Sequence, residues 1–255
     1  MLKIVKNTIL LLIGIVTVAL LIWLTIHLYL GYMEYKQPLT VKNSIETIPL
    51  FQYVPQTGDI VLFVNEKKPV LFMKHLCSSK FTHVGIVYCT TENNLPKSCI
   101  IETDIYLGKV INPLDERIRW YQQHRGQVFI RRLTRPLTME QLKKCDDLIY
   151  SLQSTNQLKY EYLENMNQKT DFRISLPLYF KFISTYALKQ PKPLSSTQEN
   201  ILCTDFVLYV LYTIFESEIA SQELHGCLKP KFFENYNEFS TLFPNKYESS
   251  LYHLE

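Results

Sequence analysis

Three side chains far apart in the chain are of the types that thiol chemistry needs: Cys203, His83 and Glu102. A free thiol ionises at a pKa of about 8.5 and is a weak nucleophile near neutrality. A helix N-terminus and a neighbouring imidazolium both favour the thiolate, and a carboxylate can hold the imidazole in the useful tautomer. The three residues are therefore the parts of a Cys-His-Glu nucleophilic centre. In such a centre the sulfur attacks an acyl carbonyl, the imidazole accepts a proton and later returns one to the leaving group, and the carboxylate orients the ring.

Local patterning says which elements must carry them. Phe206, Val207, Val210, Leu211, Ile214 and Phe215 recur at helical spacing, which predicts a helix from about Cys203 to Glu216 with one face buried. Cys203 then opens that helix. Residues 83–88 and 99–103 are rich in β-branched side chains and read as strands. Alternation puts His83 on one face with Gly85 and Val87, and Glu102 on one face with Ile100. Gly85 lacks a side chain two positions from His83 and is expected to leave room beside the imidazole. Taken singly, each residue has an ordinary structural reading: a packed thiol, a structural histidine, a solvated carboxylate.

The surroundings add a resemblance. Gly58-Asp59-Ile60-Val61-Leu62-Phe63, followed by Thr82-His83-Val84-Gly85-Ile86-Val87, resembles the start of the circularly permuted NlpC-type papain-like hydrolases, above all the YiiX-like branch and its poxviral relatives. Ile101-Glu102-Thr103 with Gly108-Lys109-Val110-Ile111-Asn112-Pro113-Leu114 looks like that family's next block. Val128-Phe129-Ile130-Arg131-Arg132-Leu133 is similar to its following strand, and Leu202-Cys203-Thr204-Asp205-Phe206-Val207 to the segment that holds its nucleophile. The resemblance spans about residues 55–240. It implies a papain-like fold with the histidine strand before the cysteine helix, Cys203 as nucleophile, His83 as general base and acid, and Glu102 as the orienting group. Two departures stand out. Thr204-Asp205 replaces the usual Ser-Glu after the cysteine, and Leu202 replaces the usual aromatic before it.

A second signal lies near the N-terminus. From Asn7 to Leu30 the chain has no Asp, Glu, Lys or Arg. A helix of that length reaches about 36 Å, enough to cross a hydrocarbon core of about 30 Å with some tilt. A secretory signal peptide is the competing reading, but its apolar stretch is shorter and ends in small residues. Here the stretch ends in Trp23, His27, Tyr29 and Tyr32, aromatics suited to a membrane interface, and an uncleaved anchor is favoured. Lys3 and Lys6 on one side, against Lys36 and Lys42 with Glu34 and Glu46 on the other, slightly favour a cytoplasmic N-terminus and a lumenal or extracellular domain.

Composition sets the limits. Hydrophobic residues make up 47% of the 255 residues, enough for one substantial domain beside the anchor. The formal charge is +3, and Lys3 and Lys6 account for most of it, so no dense basic patch suggests nucleic acid as a partner. With 7 glycines and no Gly-rich phosphate loop, nucleotide chemistry has no foothold. The 6 cysteines form no Cys-x-x-Cys pair, and setting Cys203 aside leaves an odd number, unlike a closed disulfide framework. Cys145 shares a helical stripe with Leu142, Leu148, Ile149 and Leu152 and reads as core. His75, Cys77 and His83 lack a fourth ligand and a recognised spacing, so neither metal nor cofactor is expected.

The expected organisation is α+β: a circularly permuted papain-like domain with an antiparallel-leaning sheet and flanking helices, plus one transmembrane helix. Residues 1–6 form a flank, 7–30 the anchor, 31–52 a juxtamembrane connector, 53–243 the catalytic domain and 244–255 a tail. Strands are expected at about 59–64, 83–88, 99–103 and 128–133. Thr138-Met139-Glu140-Gln141 fits a capping box that opens a helix to about Ser154. Residues 163–200 form an apolar insertion, either a lid or lipid-touching surface beside the thiol or, as aromatic-rich stripes more often are, a helix packed on the core. The functional expectation is a membrane-anchored thiol hydrolase or acyltransferase acting on an ester or amide of a lipid or peptide. The alternative is a catalytically silent module that binds a lipid or protein through the same groove. Hydrolysis and transfer differ only in the acceptor, which residue types do not distinguish, and the oligomeric state is left open.

Overall fold

Alternate residues of the central strands point into two different cores, so the strands are apolar on both faces. The computed structural model describes residues 2–36, 45–65, 81–92, 95–104, 108–124, 126–160, 203–215 and 231–255. The described strands are β1 (Ile45–Ile48), β2 (Ile60–Asn65), β3 (His83–Glu92), β4 (Leu95–Asp104), β5 (Gly108–Pro113), β6 (Gly126–Arg131), β7 (Leu158–Tyr160) and β8 (Leu251–Leu254). They form one sheet in the order β1-β8-β6-β2-β3-β4-β5-β7. Every inner pairing is antiparallel; only the edge pairs β1–β8 and β5–β7 are parallel. The result is a mixed α/β domain whose sheet leans antiparallel.

The helices are α1 (Leu2–Lys36), α2 (Leu114–Gln123), α3 (Met139–Ser154), α4 (Cys203–Phe215), α5 (Lys231–Glu234) and α6 (Tyr236–Leu242). Helices α3 and α4 cover one face of the sheet. There Cys145, Leu148, Ile149 and Leu152 join Phe206, Val207, Val210, Leu211 and Ile214 against Ile60, Leu62, Val84, Ile86 and Ile101. Helix α2 covers the other face, with Leu114, Ile118, Trp120 and Tyr121 against Val61, Phe63, Val87, Ile100, Val128 and Ile130. Each buried Val, Leu, Ile or Phe contributes about 1.5–3 kcal/mol by leaving water, so the two layers hold the sheet from both sides. Helix α3 begins at the expected capping box. The Thr138 hydroxyl accepts from the Gln141 amide, and the Gln141 side chain accepts from the Thr138 amide.

Two boundaries differ from expectation. Helix α1 continues through residue 36, beyond the expected end of the anchor, and strand β1 lies within the stretch read as connector. The C-terminal stretch 244–255, expected as a tail, is part of the domain. Strand β8 sits between β1 and β6, and the Tyr247 hydroxyl donates to the Gly58 carbonyl at 2.8 Å. Buried Arg131 ties this region down, donating to the carbonyls of Phe233 (2.7 Å), Glu234 (2.6 Å) and Glu248 (2.9 Å). Helix α1 holds one stretch, Asn7–Ile26, long and apolar enough to cross a membrane, with a mean hydropathy of 2.9 and none of it buried in the domain. A signal sequence near an N-terminus has the same character. The insertion 163–200, together with His75, Cys77, Leu202 and Cys227, lies outside the described residues.

Candidate active site

His83 is the first residue of β3, where the strand emerges from between β2 and β4. Glu102 on β4 lies directly across from Gly85, two residues along the same face, so its carboxylate reaches diagonally to the imidazole. The contact is 2.6 Å between His83 Nε2 and Glu102 Oε2. Nε2 being taken by the carboxylate, Nδ1 is the ring nitrogen left for a second partner. Cys203 lies near enough to the ring to act on its charge, favouring the imidazolium. Cys203 is half-buried at the first position of α4. Of the three residues named from sequence, His83 and Glu102 are in direct contact, and Cys203 opens the helix beside them.

His83 and Glu102 point to the α2 face, whereas α4 packs on the opposite face through Phe206 and Val210. Both Cys203 and His83 stand at element ends, Cys203 opening its helix and His83 opening its strand. Thr204 and Asp205, the pair that departs from the family pattern after the cysteine, are buried in the first turn of α4.

Glu102 is fully buried and would be costly as an anion without partners. It has three. Arg117 of α2 places Nε 2.7 Å from Oε1 and donates from Nη2 to Oε2 at 3.2 Å, and Asn112 of β5 donates to Oε1 at 3.0 Å. Burial works to raise the Glu102 carboxyl, but the Arg117 charge and the His83 contact outweigh it and hold the group down at about 2. His83 goes the opposite way. Burial disfavours its charged form, yet Tyr121, the hydrogen bonds to Cys203 and Glu102 and the Glu102 charge keep the imidazolium well above the usual histidine range. The result is an ionised carboxylate that favours the charged form of the ring.

Aromatic rings wall this group. Phe63 stacks on His83 at 5.6 Å and on Tyr121 at 4.1 Å, while the Arg117 guanidinium lies 4.9 Å from the Tyr121 ring and 5.2 Å from that of Trp120. The chain of contacts from His83 through Phe63, Tyr121, Arg117 and Glu102 closes on itself. Such a ring leaves little freedom for the imidazole to turn. Arg117 and Asn112 were not singled out from the sequence. The signal for Arg117 was present: it falls between Leu114 and Tyr121 on the apolar stripe of α2, where a charge must have a buried partner.

The space expected beside the imidazole is not open. A Cβ on Gly85 would stand 2.6 Å from Ile100 Cδ1 and 3.2 Å from the Ile101 carbonyl oxygen. Gly85 therefore admits the Ile100 side chain from the next strand, and through it the close approach of β4.

The other described cysteines are poorly suited to attack. Burial pushes the Cys99 thiol up to about 11 and the Cys145 thiol to about 12, and it also raises Cys89. All four described cysteines are free thiols. Among the described residues, no group of three or more His, Cys, Asp or Glu side chains is placed to hold a metal ion.

No family model matches the chain, and no curated protein does. Among solved structures it is similar to the metalloprotein YiiX of Escherichia coli O157:H7, at 18% identity and a TM-score of 0.39, over 64% of this chain and 68% of that one.

Proposed function

We propose that this chain is a membrane-anchored thiol enzyme of the permuted papain-like kind, with Cys203 as nucleophile, His83 as acid and base, and Glu102 as the orienting carboxylate. The observation that carries the reading is the 2.6 Å contact of His83 Nε2 with a fully buried Glu102, on strands packed against the helix that Cys203 opens. In the reaction His83 takes the thiol proton, the sulfur attacks the acyl carbonyl and the bond to the leaving group breaks. The leaving oxygen or nitrogen takes the proton held by His83, and the acyl group stays on sulfur. Water or another acceptor then attacks the thioester, gives its proton to His83 and frees Cys203. The backbone amide of Cys203 at the helix start is the donor suited to the oxyanion.

The substrate class is an acyl ester or amide of a lipid or peptide. The apolar segment of α1 supports a single-pass anchor, and the basic N-terminal flank supports a lumenal or extracellular domain. The test is to incubate the full chain in detergent micelles with panels of acyl lipids and acyl peptides and to read its intact mass. An acyl adduct that maps to Cys203 and disappears in Cys203→Ala is the expected result. Saturable binding of the same compounds with no adduct and no turnover would instead identify the silent binding module.

A further inference from the structure

Outside α1, the exposed large apolar side chains among the described residues are Ile45, Phe51, Val54, Leu95, Met139 and Tyr150. Half of them fall between residues 45 and 54, the first described stretch after the apolar helix. Phe51 is 85% exposed and Val54 67%, while Tyr53 between them is buried and donates its hydroxyl to Asp59 at 2.8 Å. The turn that carries them is fixed. Leu50 donates its amide to the Glu255 carbonyl at 2.8 Å, Glu255 donates to the Ile48 carbonyl at 3.1 Å, and residues 50–52 form a single 3-10 turn. One aromatic side chain of this turn is thus turned inward and another outward by a backbone that is pinned at both ends.

We propose that Phe51 and Val54 enter the interface of the membrane that α1 crosses and seat the domain against lipid. The proposal rests on reading α1 as a membrane anchor. Helix α1 ends at Lys36 and β1 begins at Ile45, so the connection spans at most about 30 Å even when fully extended. Helix α1 also runs ten residues past Ile26, about 15 Å, so the turn is tethered within reach of the lipid surface on the side where the helix emerges. An apolar pair held there loses less by entering the headgroup boundary than by staying in water. The occupant is a lipid surface, because the tether holds the turn within reach of one.

The chain carries its own reporters, since Trp23 lies in the apolar segment and Trp120 is buried in the domain. The full chain is reconstituted in phosphatidylcholine vesicles, plain or brominated near the headgroup end of the acyl chains. Phe51→Trp in a Trp23→Phe background is expected to lose at least about half its position-51 emission in the brominated lipid, because side chains at the headgroup boundary touch such bromines. Tyr150→Trp in the same background, exposed on α3, is expected to emit equally in both. Equal emission from position 51 in both lipids, with native Trp23 quenched, overturns the proposal and leaves the anchor standing. Unquenched Trp23 overturns the anchor, and the proposal with it.

Discussion

Arg117 grips both carboxylate oxygens of Glu102 from behind, at 2.7 Å and 3.2 Å, and so keeps an anion buried where His83 can lean on it. The pair is effectively out of water, at 3% and 0% side-chain exposure. Removing one member strands the other. Arg117→Met is expected to cost about 3–5 kcal/mol of stability, the usual penalty for breaking a buried pair from one side. Arg117→Lys keeps the charge but not the fork, and is expected to cost less while still slowing Cys203 reactivity. Denaturant unfolding of the two variants beside the wild type checks the order.

Gly85 sits opposite Glu102 and gives its side-chain space to Ile100. Gly85→Ala forces Ile100 or the β4 backbone to move and is expected to cost about 1–3 kcal/mol, as overpacked sites do. The same shift pulls Glu102 from His83, so reactivity at Cys203 should fall along with stability. Alkylation rate and melting temperature, measured on one sample, test whether the two losses travel together.

Two buried carboxylates have opposite pH signatures. Glu102 is held at about 2, below its usual 4.5, so its contribution is present at neutral pH and is lost as pH falls from about 4.5 towards 2. Asp59 is pushed up to about 6 from its usual 3.8, chiefly by burial, against the pull of hydrogen bonds from Leu133, Tyr53 and Gln56. It therefore binds its proton more tightly folded than unfolded. Its contribution is complete below about pH 3.8 and is lost as pH rises through about 6. Asp59→Asn should remove a pH-dependent term of up to about 3 kcal/mol between those limits. Unfolding free energies of wild type and variant at pH 4 and pH 7 give the difference directly.

Much of this was legible in the sequence because it rests on short-range pattern. The β-branched runs marked β2, β3, β4 and β6, the capping box marked the start of α3, and helical spacing marked α4 with Cys203 at its head. Long-range partners were not legible. Nothing local says that α4 packs on the face of Val84 and Ile86 and not on the face of His83, or that β8 slots between β1 and β6. Strand β7 has three residues and β8 four, too few for alternation to stand out. Arg117 leaves a local trace as a charge on the apolar stripe of α2, but its partner and the role of Asn112 acquire meaning only once β5 and α2 fold over Glu102. Gly85 was read as open space because the sequence does not show that Ile100 fills it.

The central claim is that His83 activates Cys203. Its most direct measurement is the alkylation rate of Cys203 at mildly acidic pH, followed by mass mapping, in wild type, His83→Ala and Glu102→Gln. The account predicts that Cys203 reacts well ahead of Cys99 and Cys145, that His83→Ala abolishes most of this lead, and that Glu102→Gln weakens it less, because the ring stays but loses its anionic partner. Equal rates at Cys203 in wild type and His83→Ala would contradict it and make Cys203 a packed core thiol.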